Sequence, residues 1–225
     1  MFIIAHRGAS GLEPENTLRS FKKAEELGAD LIELDVRISK DGELVISHDA
    51  DMLRLFGDPR LLKQLPLSEI KRISALHNRE IPTLADVIAN VNRDLNIHIK
   101  NHGIERQVLE AIKSFPHRVL ISSTFPGVLK KIRALDGKID LGLIIGRGEL
   151  HLLPVANFLT RNIGLYSIHP KATIISLPIV KLFKLSGRKV NVWTVNTKEE
   201  FIRMQRLGVD GIITDHPELM KIYGN

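Results

Sequence analysis

The residues able to do chemistry gather at a few points of the chain, most densely between positions 31 and 49. Leu31, Ile32, Leu34, Val36 and Ile38 make a β-prone run in which Glu33, Asp35 and Arg37 share one face, because strand side chains alternate with a period of two. Two carboxylates therefore point the same way. Such a pair is a hard-cation site when a third ligand joins it and a solvated strand edge when none does. After the turn Lys40-Asp41-Gly42, a second apolar strand, Leu44 to Ser47, ends in His48-Asp49. A further ionisable pair, His6-Arg7, closes the short apolar run Phe2 to Ala5, and Gly8 gives the chain a tight exit. A strand-end histidine is most often structural, yet strand ends are also where α/β folds place their chemistry.

The elements that must hold these groups alternate along the chain. Phe2 to Ala5 reads as a buried strand, and Leu18, Phe21, Ala24 and Leu27 recur at helical spacing, with Asn16 or Thr17 to cap the start and Gly28 to end the helix. Residues 50–82 are less regular, with a short helix over 68–73, and read as an excursion over the end of the second strand, either a lid or a plain connection. From Ile81-Pro82-Thr83 the alternation resumes. Helices are expected over 84–91, 104–114, 126–135, 149–158, 173–185, 197–207 and 216–222, and strands over 95–100, 119–122, 140–145, 163–166, 190–194 and 211–214. With the first two strands this makes eight parallel-type strands, the pattern of an α/β (β/α)8 TIM barrel with a short insertion after the second strand, spanning residues 1–225 as one domain. A barrel keeps its site at the C-terminal ends of its strands. His6, Arg7, Glu33, Asp35, His98, Lys100, Ser123, Trp193 and Asp215 all fall at or near such ends.

Composition narrows the function classes. The chain of 225 residues carries a formal charge of +6 that suits an anionic ligand, but Lys and Arg are scattered and no nucleic-acid-binding motif accompanies them. Cysteine is absent, which removes disulfides and thiol chemistry. No run approaches the roughly 20 apolar residues that cross a bilayer. Met1 leads directly into Phe2-Ile3-Ile4-Ala5 without a charged leader, so the expectation is a cytoplasmic protein without stable membrane insertion. Oligomeric state is not legible from one sequence.

Taken in order, Ala5-His6-Arg7-Gly8-Ala9, Pro14-Glu15-Asn16-Thr17, Glu33-Leu34-Asp35-Val36 and His48-Asp49 resemble the glycerophosphodiester phosphodiesterase family. Ile81-Pro82-Thr83-Leu84, Ser122-Ser123, Val192-Trp193-Thr194-Val195-Asn196 and the stretch from Gly208 to Pro217 extend the likeness over nearly the whole chain. The resemblance implies a (β/α)8 barrel that hydrolyses a glycerophosphodiester to glycerol 3-phosphate and an alcohol with one divalent cation, usually Mg²⁺ or Ca²⁺. It further implies that Glu33 and Asp35 are metal ligands, His6 and His48 the acid/base pair, and Arg7 a phosphate ligand. Lys100 matches the family's lysine, a phosphate or metal-water contact. The physical fit is good: a cation and a guanidinium fork neutralise charge that grows on the phosphoryl oxygens, and two histidines divide the proton transfers. The family's nucleophile is thought to be the neighbouring glycerol hydroxyl. Glu15 is expected to brace Arg7 or bind a glycerol hydroxyl, Trp193 to wall the pocket or fill the barrel, and Asp215 to shape the last turn.

One position departs from the pattern. The third strand reads Asn96-Ile97-His98-Ile99-Lys100, where the family usually has glutamate, its third metal ligand, in place of His98. Exchanging a carboxylate for an imidazole removes a negative charge and adds a softer donor, which favours Mn²⁺, Co²⁺ or Zn²⁺ over Mg²⁺ and Ca²⁺. Two other readings follow. One is a barrel that binds a phosphorylated ligand without turnover. The other is a lysophospholipase D, which an exposed apolar lid formed by Leu53, Leu55, Phe56, Leu61 and Leu62 would support.

Overall fold

The computed structural model describes residues 1–146 and 162–223. Among these residues eight strands run parallel: β1 (Phe2–Ala5), β2 (Leu31–Ile38), β3 (Asp94–Ile99), β4 (Val119–Ser123), β5 (Asp140–Ile145), β6 (Ser167–Pro170), β7 (Lys189–Trp193) and β8 (Gly211–Thr214). Each pairs with the next in sequence, and β1 pairs with both β2 and β8, so the sheet closes into a barrel. The helices are α1 (Leu18–Leu27), α2 (Leu67–Leu76), α3 (Leu84–Asn90), α4 (Glu105–Ala111), α5 (Pro126–Leu135), α6 (Leu177–Leu185), α7 (Lys198–Leu207) and α8 (Leu219–Tyr223).

The alternation read in β2 sorts its side chains as expected. Ile32, Leu34 and Val36 are fully buried in the main apolar cluster, which also holds Phe21, Phe183 and Phe201 from α1, α6 and α7. Glu33 and Asp35 take the other side, into the barrel. That interior holds a small apolar cluster, where Ile4, Leu31, Leu120 and Ile213 meet Tyr166 and Trp193, and a polar layer of Asn96, Ser122, Ser167, His169 and Asn191, all buried. Gly142 makes room for this layer, since a Cβ there would stand 2.8 Å from His169 Nε2.

Caps place the helices at the rim of the barrel. Thr17 accepts from Ser20 N, and Ser20 Oγ accepts from Thr17 N, which starts α1; Gly28, at φ +80°, ends it. Thr83 with Asp86 and Thr197 with Glu200 do the same for α3 and α7.

The helix expected over 104–114 ends at Ala111 and that expected over 68–73 runs Leu67–Leu76, and three elements start three or four residues later than expected. The sixth strand is Ser167–Pro170, not residues 163–166. Ile163 and Leu165 are buried, but in a loop turned by Gly164 at φ +64° and tied by Arg133 to the Ile163 and Gly164 carbonyls. The true strand shows one aliphatic residue, Ile168, which packs outward in the main apolar cluster, because its inward groups, Ser167 and His169, belong to the polar layer. Helix α6 starts at Leu177 rather than 173, after a turn in which Ile174 N bonds Lys171 O and with Pro178 in its first turn. Helix α8 starts at Leu219 rather than 216, as Pro217 disfavours the helical conformation at His216 before it. The helix expected over 149–158 lies outside the described residues.

The excursion after β2 builds a small structure of its own. Leu44–Ile46 runs antiparallel to β2, and a two-strand ribbon joins Asp51–Met52 to Asp58–Leu61 ahead of α2. Phe56 and Leu62 are buried in a satellite cluster with Met52, Leu65, Ile70 and Ile73, against which Leu55 packs; Leu53 is 55% exposed. The apolar side chains expected to form an exposed lid thus mostly face inward.

Candidate active site

The C-terminal ends of the strands surround a cavity of about 120 Å³. It is lined by His6 and Arg7 after β1, Glu33 and Asp35 on β2, His48 after the antiparallel strand, His98 and Lys100 at the end of β3, and Trp193 on β7. These residues come from separate elements, and barrel closure alone brings them together.

Glu33 and Asp35 are buried, and β2–β3 register sets Asp35 opposite His98. Asp35 is surrounded by donors. Its Oδ1 meets His98 Nδ1 at 3.1 Å and Lys100 Nζ at 3.2 Å, and its Oδ2 meets Asn16 Nδ2 at 3.0 Å and Arg7 Nε at 3.4 Å. Glu33 accepts from Arg7 N at 2.9 Å, and its other oxygen lies 3.8 Å from His98 Nδ1. The two acids part company. Burial and the charge of Asp35 push the Glu33 carboxyl up to about 7. Burial acts the same way on Asp35, but the hydrogen bond from His98 and the charges of Lys100 and Arg7 outweigh it and hold Asp35 well below the usual carboxylate range. Burial, joined by Lys100, takes His98 down to about 4, so its ring is neutral at physiological pH.

These three side chains fit a divalent cation. One donor atom from each of Glu33, Asp35 and His98 lies within 4.8 Å of the others, and all three residues are buried. To hold a cation through Nδ1, the neutral His98 ring would take the tautomer with its one proton on Nε2 in place of the one that donates to Asp35. That Nε2 is buried without a partner among the described residues, as is the Oγ of Ser122, the register neighbour of His98. Metal-bound imidazoles use such second nitrogens to fix their orientation.

Both candidate proton-transfer histidines are buttressed by acids. His6 Nδ1 donates to Asp215 Oδ1 at 2.6 Å; Ser10 Oγ donates to the same oxygen at 2.8 Å and Asn196 Nδ2 to Oδ2 at 2.5 Å. Burial works against a charged His6, but the Asp215 bond and the charge of Glu33 prevail and raise it above the ordinary histidine value. His48 Nδ1 donates to Asp49 Oδ1 at 2.7 Å, and Arg37 fixes its carbonyl with bonds of 2.9 and 2.7 Å. Burial, with Lys100 and Arg7 nearby, leaves His48 below the ordinary value despite Asp35 and Asp49. Each ring thus turns Nδ1 to a carboxylate and leaves Nε2 free of that bond.

Of the remaining expected residues, Glu15 braces Arg7 through Nη1 at 2.9 Å. Trp193 combines both roles considered for it, lining the cavity while Nε1 donates to His169 O at 2.8 Å. Ser123 is structural: its Oγ donates to Ile99 O and accepts from Phe125 N. Asp215 does more than shape the last turn, as its bond to His6 shows. Closure could have revealed this, because the register Ala5↔Thr214 makes His6 and Asp215 neighbours. Beyond its place in the family motif, Asn16 reads in sequence as a possible cap. Thr17 is the cap, and Asn16, at φ +57°, clamps Asp35 from both sides, accepting from its N at 3.3 Å. His169 gave no signal, lying in the strand that was misplaced.

A closed parallel barrel whose rim sets paired acids and an imidazole, fit for a divalent cation, beside two cationic side chains suits an enzyme that handles phosphate esters. Residues 6–219 match the glycerophosphoryl diester phosphodiesterase family, and the chain belongs to that family of enzymes. A glycerophosphodiester phosphodiesterase from Caldanaerobacter subterraneus subsp. tengcongensis is 38% identical, covering 97% of this chain and 95% of that protein. One from Bacillus altitudinis is 33% identical over 96% and 95% of the two chains. Among solved structures, the Thermotoga maritima glycerophosphodiester phosphodiesterase superposes with a TM-score of 0.87 at 32% identity, covering 99% and 97% of the chains. An Oleispira antarctica phosphodiesterase in complex with sn-glycerol-3-phosphate gives 0.90 at 26%, covering 99% and 96%. No helix among the described residues is long and apolar enough to cross a membrane.

Proposed function

We propose that this protein hydrolyses glycerophosphodiesters to glycerol 3-phosphate and an alcohol, with Glu33, Asp35 and His98 holding one divalent cation. The observation that carries the reading is the convergence of His6 and His48 on the cavity that also holds these three donors, Arg7 and Lys100. Arg7 and Lys100 bind the non-bridging phosphoryl oxygens. His48, whose burial favours the neutral ring, removes the proton of the attacking glycerol hydroxyl, which closes a cyclic phosphate as the bond to the alcohol breaks, while His6, whose protonated form Asp215 favours, gives a proton to the leaving oxygen. Water then opens the cyclic ester with the two roles reversed, giving glycerol 3-phosphate. When bound, the cation adds Lewis-acid neutralisation of the phosphoryl charge. The donor set of two carboxylates and an imidazole favours Mn²⁺, Co²⁺ or Zn²⁺ over Mg²⁺ and Ca²⁺.

The inward packing of Phe56 and Leu62 removes part of the apolar surface that an acyl chain would use, which favours water-soluble, deacylated diesters over lysophospholipids. The product-bound Oleispira antarctica relative supports the same substrate class. The test is ³¹P NMR of glycerophosphocholine, glycerophosphoethanolamine and a lysophospholipid across a metal panel with a chelator control. Glycerol 3-phosphate should appear with the first two and cease on chelation. Binding without release of glycerol 3-phosphate would instead identify a barrel that has lost turnover, and full activity without any divalent ion would sink the proposed cation site.

A further inference from the structure

We infer that Arg54, carried by the excursion after β2, is a positioning residue that ties His48 and Arg7 together across the mouth of the cavity. Its guanidinium uses all three nitrogens. Nε donates to Asp49 Oδ2 at 2.6 Å, while Nη1 and Nη2 donate to Glu15 Oε2 and Oε1 at 3.1 and 2.6 Å. Asp49 presents its other oxygen to His48 Nδ1 at 2.7 Å, and Glu15 Oε1 also takes Arg7 Nη1 at 2.9 Å. Arg7 then continues to Asp35 Oδ2 at 3.4 Å. A ladder of alternating charges therefore runs from Asp49, the partner of His48, over the rim through Arg54, Glu15 and Arg7 to the buried Asp35, the last step being an ion pair. A planar fork can span two carboxylates at once, which the single point charge of lysine does not.

The backbone that delivers Arg54 is fixed independently of these bonds. Arg54 sits in the single turn Leu53–Phe56, between Met52 and Phe56, which are buried in the satellite cluster, and Gly57 at φ +68° closes that turn. Its own head group is half-exposed, and exposed ion pairs contribute little to folding stability. The ladder's consequence is thus geometric: Asp49 is aimed at His48, and Glu15 at Arg7, by one side chain that touches neither. The roles of His48 and Arg7 are those of the hydrolase reading, on which this inference rests.

The experiment compares wild type, R54A and R54K, each also in the E15Q and D49N backgrounds. R54A should lower kcat/KM about ten- to hundredfold, the range that small misplacements of catalytic groups produce, with an unchanged melting temperature. R54K should recover little of this, whereas added guanidinium should restore R54A at least several-fold and leave R54A/E15Q unrestored. Losses in R54A/E15Q and R54A/D49N should be smaller than the products of the single losses. Independently of turnover, ¹⁵N NMR of the unliganded proteins should show the His48 Nδ1–H and Arg7 Nη1–H signals sharp in wild type and broadened or lost in R54A. R54A with kcat/KM within threefold of wild type, fully multiplicative losses, or unaltered His48 and Arg7 signals would each overturn the inference. An inactive wild type would defeat the hydrolase reading instead, and the NMR comparison would still decide the positioning role.

Discussion

Replacing Asp215 by asparagine tests the division of labour between the two histidines. Asp215 accepts three side-chain hydrogen bonds: His6 Nδ1 and Ser10 Oγ at Oδ1, and Asn196 Nδ2 at Oδ2. An asparagine cannot satisfy all three. With its amide nitrogen in the Oδ2 position, it faces the donor of Asn196. With the nitrogen in the Oδ1 position, it forces His6 Nδ1 to accept, and the ring turns to the wrong tautomer. Both groups are mostly buried, at 17% and 29% exposure, so the bond is only partly screened. A hydrogen bond to a charged partner contributes about 1.5–3 kcal/mol, which corresponds to about ten- to hundredfold in the protonation equilibrium of His6. The sign follows from the roles. His6 acts protonated, its affinity for the proton is raised by Asp215, and the variant should therefore lose activity from the alkaline side. The assay is kcat/KM for glycerophosphocholine between pH 5 and 10, read by release of glycerol 3-phosphate. The alkaline limb should move down by about one to two pH units while the acid limb, set by His48, stays in place. An alkaline limb that does not move, with kcat/KM within threefold of wild type near neutrality, would refute the assignment of His6 as the acid.

Other outcomes follow from the same geometry. In the wild type, His48 sits below and His6 above the ordinary histidine value, so activity should peak between the two and fall on either side; a profile still rising well above pH 9 contradicts this. His98→Glu should shift relative affinity from Zn²⁺ and Mn²⁺ toward Mg²⁺, measured by calorimetric titration of the apoprotein; an unchanged ranking removes His98 from the ligand set. Asn16→Gly relieves the φ of +57° but deletes both bonds to Asp35, so it should weaken metal binding at little cost in thermal stability. Phe56→Ala should destabilise the excursion by about 3–5 kcal/mol, seen as early proteolysis within residues 50–82.

Much of this architecture could be read from the chain. The period of two in β2 placed Glu33 and Asp35 on one face and Ile32, Leu34 and Val36 on the other, and the eightfold alternation of strand and helix required closure. What escaped were polar groups that only closure makes neighbours. Asp215 lies far from His6 along the chain but adjoins it across the β8–β1 seam. Ser167 and His169 hid the sixth strand because an inward polar residue looks like a loop residue until a barrel surrounds it. Asn16 stood beside a genuine cap, and a local explanation concealed a long-range one. Arg54 had no signal, since its partners Glu15 and Asp49 come from two other loops.

The polar layer of Asn96, Ser122, Ser167, His169 and Asn191 has a corollary for substitution. Hydrophobic cohesion resides mainly in the seam between the outward strand faces and the helices, so the cylinder's lumen is relieved of holding the fold together. Substitutions that keep the volume of these inward groups should therefore change the chemistry of the lumen more than the stability of the fold.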